Sequence, residues 1–443
     1  MAHVLSLSYG STTIALASGD YRIKNYTPRV GSESSEFIEE SATIQVEGST
    51  IAAFQANVQA INRAFEAARK RRQGKTWDRL FLVFQPDGYS VSYRTEITEG
   101  RLLVPDTILQ ADWANKQADV TLIYTRRNFW EAAAWIAVPL SNANNLLGTT
   151  DPLRVYNCAD GAGGINIRTN LVQIAAASVA GDLPAPVALV MAPAQDTNGI
   201  YMGLYVDETG GGVPTLVFDS DAWTTGISDT ADATCSGGSY KDIPANASDA
   251  DVATLAGIDL TDYRGNWWRP FVRNRTPSDN TLAMRFYVGS VLMSDMQLRA
   301  SGASRTLQAF DMIRIPSWPY LVNPVAGTFA LRRKGDAAAP QFGFDVLYLM
   351  PTDAYAEIGR DDSAVVSSGQ VLVETWDINA QSYIQNADTT NQYRFCNIRV
   401  GAGIFLTPGK NQNLYFLMRN DDDSDIGMYM TVQMFYKPRR RSL

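Results

Sequence analysis

Hydrophobic positions along this chain follow two rhythms. Over residues 50–72 the apolar side chains Ile51, Phe54, Val58, Ile61 and Phe65 recur at spacings of three and four, which places them on one stripe of an α-helix. Ser49 or Thr50 can cap the first turn, and Gly74 supplies a left-handed stop. Arg69, Lys70, Arg71 and Arg72 set positive charge at the negative end of the helix dipole. At 1.5 Å per residue such a helix is roughly 33 Å long, enough to cross one face of a sheet. A coiled coil would need several more heptads with polar e and g positions.

Elsewhere the rhythm is that of strands. Short apolar runs at 4–7 and 13–16 flank Tyr9-Gly10-Ser11 and suit a hairpin, and Gly31 to Glu36 reads as a polar loop. Strands are expected at 42–46, 80–85, 90–97, 101–104 and 120–124, with Val91, Tyr93, Thr95 and Ile97 alternating as in a half-buried strand. Residues 1–140 therefore read as an antiparallel sheet crossed by one helix, an α+β domain. Ser141-Asn142-Ala143-Asn144-Asn145 breaks the pattern and marks a boundary. Beyond it come short strands with Gly, Pro, Asn and Asp punctuation, at 187–191, 200–206, 282–288, 308–315, 342–350, 371–376, 393–400, 414–419 and 428–436. That cadence predicts β-sandwich or jelly-roll domains, so the fold class is mainly β with one long helix. A seam after Met350-Pro351-Thr352-Asp353 divides this part into 141–355 and 356–443. The last piece is small for a sandwich and could instead complete one begun near residues 181–186, with the intervening part inserted.

Composition narrows the function classes. At 45% hydrophobic and 19% charged, the 443 residues have the balance of a folded globular chain. No run of eighteen apolar residues exists, and the first residues lack the pattern of a signal peptide, so the expectation is a chain made and kept in a cytoplasm. The single histidine, His3, argues against triads and zinc sites that need an imidazole, and Cys158, Cys235 and Cys396 stand too far apart for a CxxC site. Residues 1–140 hold 15 Lys+Arg against 15 Asp+Glu, which leaves 23 against 31 of the chain's 38 and 46 for the remainder. The acidic outer part argues against a DNA-wrapping or anionic-membrane surface there.

Candidate chemistry is sparse. Gly74-Lys75-Thr76 resembles the end of a phosphate-binding loop, but Arg69 stands where the earlier glycine is required, and a helix C-cap explains it better. Asp421, Asp422, Asp423 and Asp425 lack the spacing and closing glutamate of a calcium loop, and the glycines at 161–164 and 210–212 read as loops. Asp311, Asp345, Asp353, Glu374 and Asp377 could serve a two-carboxylate hydrolase, yet nothing in the sequence pairs any two. The expectation is no enzymatic activity, no cofactor and no metal. Trp267, Trp268, Trp318 and Tyr320 are candidates for stacking on sugar rings, with core or subunit contact the more economical reading. The basic runs 69–72 and 439–441 read as helix-end charge and a solvated tail.

The layout of a sheet with one crossing helix, then sandwich strands, resembles the distal tail protein of long-tailed, non-contractile bacteriophages. The helix at 50–72 and the stretch 120–130 look like that family's ring-forming tube-fold domain. The stretch 406–416, with Pro408-Gly409-Lys410-Asn411, and the strand ending in Lys437-Pro438-Arg439 look like the closing strands of its galectin-like domain. Some 150 residues, roughly 200–350, are additional to the compact members of that family. The resemblance implies a structural virion protein assembled in the host cytoplasm, forming a hexameric ring of its own copies. Its implied partners are the tail-tube protein, baseplate hub or tail-tip proteins and tail fibres, with no membrane and no specific nucleic acid. Ile51, Phe54, Val58, Ile61 and Phe65 would brace the ring domain. A major tail-tube subunit with decoration domains and a glycan-binding adhesin are the alternatives.

Overall fold

A computed structural model describes residues 4–76, 78–103, 115–142, 153–157, 169–208, 210, 214, 216–224, 227–232, 235–244, 249–263, 265–278, 282–297, 305–315, 326–333, 341–359, 366–376, 382–386, 399–420 and 428–443. The protein is mainly β with one long helix and several antiparallel sheets. It divides into two compact units. The first comprises Met1–Ile136, Ala180–Ala185 and Lys437–Leu443, and the second Ala137–Val179 and Pro186–Tyr436.

In the first unit β1 (Val4–Tyr9), β2 (Thr12–Ala15), β3 (Tyr21–Asn25), β4 (Phe37–Glu47), α1 (Ile51–Arg72), β5 (Leu80–Gln85), β6 (Tyr93–Leu103), β7 (Gln117–Arg127) and β8 (Trp130–Ala132) follow in sequence. The sheet runs β2-β1-β5-β6-β7-β4-β3, with β8 and the strand Arg439–Arg440 joined at β6. β2 and β3 are neighbours in sequence and opposite edges in space. Laid flat, seven strands span about 29 Å, whereas the chain from Ala15 to Tyr21 reaches at most about 22 Å. The sheet must therefore curl until its edges come within reach of that link, and it forms a half-barrel.

Thr50 caps α1, its Oγ1 accepting from Ala53 N at 3.1 Å, and four basic residues fill the last turn. The helix rests on β6, β4, β1 and β5. Phe54, Ile61, Ala64, Phe65 and Ala68 are buried against Leu7, Ile44, Leu82, Ile97, Val120 and Leu122. The stretches expected as separate strands at 90–97 and 101–104 form the single strand β6, with a bulge between Ile97 and Glu99; Val104 lies outside the described residues. Gly100 keeps β6 close to the helix. A Cβ there would stand 2.4 Å from the Phe65 ring.

Among the described residues the second unit contains four sheets. One runs Leu153–Tyr156, Tyr429–Tyr436, Ala185–Pro193, Gln370–Thr375 and Ser382–Asn386; another runs Leu171–Ile174, Gln412–Arg419, Gly199–Val206, Ala354–Gly359 and Arg399–Val400. Both take strands from either side of 217–351, and the other two are drawn wholly from within it. Of these, one is ordered Asp229–Ala231, Ser239–Ile243, Phe342–Pro351, Trp267–Ser278, Arg305–Ala309, and the other Ala250–Asp259, Ala326–Arg333, Leu282–Val288, Val291–Gln297. Gly199–Val206 packs on the inserted sheet: Tyr201 meets Phe271 at 4.8 Å between ring centroids, and Tyr205 stacks on Trp268 at 6.1 Å. Gly203 lets the strands approach, since a Cβ would stand 2.2 Å from Pro351 O.

Candidate assembly surface

The alternation along β4 and β7 sorts their residues onto two faces. Ala42, Ile44 and Val46 with Ala118, Val120, Leu122 and Tyr124 point to the helix and are buried. The opposite face pairs Glu39 with Thr125, Ser41 with Ile123, Thr43 with Thr121, Gln45 with Asp119 and Glu47 with Gln117. Arg101 and Glu99 of β6 continue these rows beside Ile123 and Thr125. This face is mostly polar and open to different degrees, with Ile123, Phe37 opposite Arg127 and Leu103 opposite Thr121 as its apolar members, and Thr43 and Thr121 meet through their hydroxyls at 3.4 Å. An ion ladder crosses it: Glu96 accepts from Arg79 at 3.2 Å and from Arg127 at 3.0 Å, and Arg127 reaches on to Glu36 at 2.8 Å.

The helix-side face ends in a buried polar cluster. Arg126 Nη2 donates to Glu40 Oε1 at 2.5 Å and to Arg29 O at 2.8 Å, and Tyr124 OH donates to Glu40 Oε2 at 3.1 Å. The guanidinium also lies over the Trp130 ring at 4.7 Å. Burial, reinforced by the Glu40 charge, pushes the Tyr26 hydroxyl far above the ordinary tyrosine range, and burial first raises that of Tyr124 as well. Both phenols thus stay protonated and can donate. The second unit holds a comparable pair: Arg273 Nε donates to Asp345 Oδ2 at 2.6 Å, and Ser236 N to Asp345 Oδ1 at 2.8 Å.

Of the helix residues proposed from sequence, Phe54, Ile61 and Phe65 are buried and Val58 is partly buried against the same core. Ile51 corrects the expected stripe, being 48% exposed. At 100° per residue it lies about 80° round the helix from Ile61, off the edge of the buried stripe that Ala64 and Ala68 complete instead. Sequence spacing missed those alanines because a methyl group does not register as a hydrophobic beat.

Among the aromatic candidates, Trp267 is 44% exposed, with its backbone N donating to Asp353 Oδ2 at 3.4 Å. Trp268 is fully buried, with Nε1 donating to Tyr263 O at 3.1 Å, so it fills a core and offers no face to a sugar. This follows from their being adjacent in one strand, which sends their side chains to opposite faces. Trp318 and Tyr320 lie outside the described residues, as do His3, Cys158, Cys396, Asp377 and the aspartates at 421–425. Asp345 is taken up by Arg273, and burial of Cys235 pushes its thiol up to about 12, which keeps it protonated and unreactive. Among the described residues no group of three or more His, Cys, Asp or Glu is placed to hold a metal ion, and no helix is long and apolar enough to cross a membrane.

The basic run at 439–441 is also corrected. Arg439 and Arg440 form a strand, Arg439 pairs with Glu131, and Arg441 pairs with Glu33. Backbone pairing with β8 and acceptors in the first unit order a segment whose composition alone suggests solvation.

No protein-family model matches the chain, and no curated protein matches it in sequence. Among solved structures, a chain from the phage P2 baseplate in its activated conformation with Ca aligns over 100% of both chains at 7% identity and a TM-score of 0.30. A chain from the same baseplate in its activated conformation with Sr aligns over 94% of this chain and 98% of that one, again at 7% identity, with a TM-score of 0.24.

Proposed function

We propose that the protein is a structural component of a bacteriophage tail. Its first unit joins six copies into a closed ring at the distal end of the tail tube, linking the tube to baseplate hub or tail-tip proteins. The second unit, read as a galectin-like sandwich carrying an inserted one, faces outward toward fibres. The carrying observation is the one-sided burial of the curled sheet: α1 covers one face, and the other carries mostly polar side chains across β4, β7 and β6, with Phe37, Ile123 and Leu103 set among them. A ring that places that face inward has a hydrated lumen, with the helix outside. The sheet's path ends at β2 and β3, and pairing the edge of one copy with that of the next would close both without leaving a free edge. The balanced charge of residues 1–140 supports close packing of like subunits.

Electron microscopy of the purified protein tests this. Annular particles with an open centre and sixfold end views are expected; isolated compact particles at every concentration would overturn the reading. Long stacked tubes would favour a main tube subunit. The exposure of Trp267 favours a second reading, glycan adhesion by the outer unit, which requires Trp267→Ala to abolish binding on a glycan array.

A further inference from the structure

Segment 437–443 belongs to the first unit, although the strand before it, Tyr429–Tyr436, belongs to the second. The segment is held along most of its length. Ala132 N donates to Pro438 O at 2.9 Å, and Arg439–Arg440 pairs with β8, Arg439 opposite Glu131 and Arg440 opposite Trp130. On its other side Asp182 N and Leu183 N donate to Arg439 O at 3.0 and 3.3 Å, and Arg441 N donates to Asp182 Oδ1 at 3.0 Å. Gly181 makes this approach possible: its φ is +113°, and a Cβ would stand 2.5 Å from Arg439 O.

Side chains repeat the pattern. Glu131 is buried, and its carboxylate accepts from Arg94 of β6 at 3.0 Å and from Arg439 at 3.4 Å. Arg440 Nε donates to Tyr93 OH at 3.1 Å, and its guanidinium lies over the Tyr89 and Tyr93 rings at 5.8 and 5.9 Å. Lys437 sits over Trp135 at 4.4 Å, and Leu443 packs against the hydrophobic core of the unit. Without the segment, β8 would be three residues long with β6 as its partner, and buried Glu131 would lose one of its two cations.

We propose that residues 437–443 are an assembly clasp. The margin of the first unit around β6 and β8 is finished only when this segment docks, 308 residues downstream of the glutamate it pairs with. A chain not yet made through the clasp would carry a first unit left incomplete beside β6 and be kept out of the assembly; this consequence rests on the ring reading above. The order follows from connectivity, since so distant a contact forms only after the intervening chain exists.

The test compares the full chain with two variants: Arg439→Ala with Arg440→Ala in the full chain, and a chain ending at Tyr436. Amide exchange across 130–132 and solution mass are both read. Exchange there should be about tenfold or more faster in both variants, while strand Phe342–Pro351 keeps its protection. Both should lose the oligomer, and a synthetic peptide of residues 437–443 added to the truncated chain should slow exchange again. Unchanged exchange, or rings formed equally well by both variants, overturns the clasp. If exchange rises in the variants but the full chain is itself monomeric, the docking role stands and the ring reading fails.

Discussion

Strand β4 and strand Phe342–Pro351 have similar lengths and opposite environments. From Glu40 to Val46, β4 buries every second residue; Phe342–Pro351 buries all ten. The first has a helix on one side and solvent on the other, as its alternation of Ala, Ile and Val with Ser, Thr and Gln requires. The second is covered on both faces and reads as a nearly continuous apolar run. A sheet with one free polar face can line an aqueous passage, whereas a sheet covered on both faces can only fill a body. That difference is why we propose ring formation for the first unit and display for the second.

The comparison is broken most severely at the helix stripe. Phe54→Asp or Ile61→Asp puts a carboxylate among Leu7, Ile44 and Val120 with no paired cation, a cost of several kcal/mol. The expected outcome is loss of the first unit's cooperative unfolding transition, and of any oligomer, while the strands of the second keep their exchange protection. Soluble hexamers of either variant would sink the assignment of α1 as the brace.

A finer test uses the two close-approach glycines. Gly203→Ala drives a methyl into Pro351 O, a backbone atom that cannot rotate away, and should cost about 3 kcal/mol or more. Gly100→Ala meets the Phe65 ring, a side chain that can turn, and should cost about 1–2 kcal/mol. Chemical denaturation of each variant reads the ordering directly; equal losses would mean that both sites relax alike.

The smallest effect is in pH. Burial pushes the Asp345 carboxyl from the ordinary 3.8 up to about 6, although Arg273 and the Ser236 amide pull it down. Folded protein therefore holds a proton between those values that unfolded chain has released. The stability this contributes is full below about 4 and lost as pH rises through about 6. Asp345→Asn should flatten that portion of the second unit's stability profile, and a profile unchanged by the substitution would refute it.

Much of the architecture was legible because the two rhythms are strong. The helix, Leu80–Gln85 and Leu282–Val288 lie where periodicity puts them. Three things were hidden for physical reasons. Gly100 fell between the strands expected at 90–97 and 101–104, because a glycine admitting an aromatic ring has the same letter as one in a turn. The clasp looked like a solvated tail, because its partners Glu131, Tyr93 and Asp182 are distant in sequence. Trp267 and Trp268 looked like one patch, though neighbouring strand residues face apart. The buried pairs Arg126–Glu40 and Arg273–Asp345 were invisible for the same reason as the clasp, being 86 and 72 residues apart.

The central claim is self-association through the first unit, and the most direct measurement is absolute mass in solution by light scattering over a range of concentrations. A mass near six times 48.6 kDa, or a rise toward it on concentration, is the predicted result. A mass of 48.6 kDa at every concentration would contradict it.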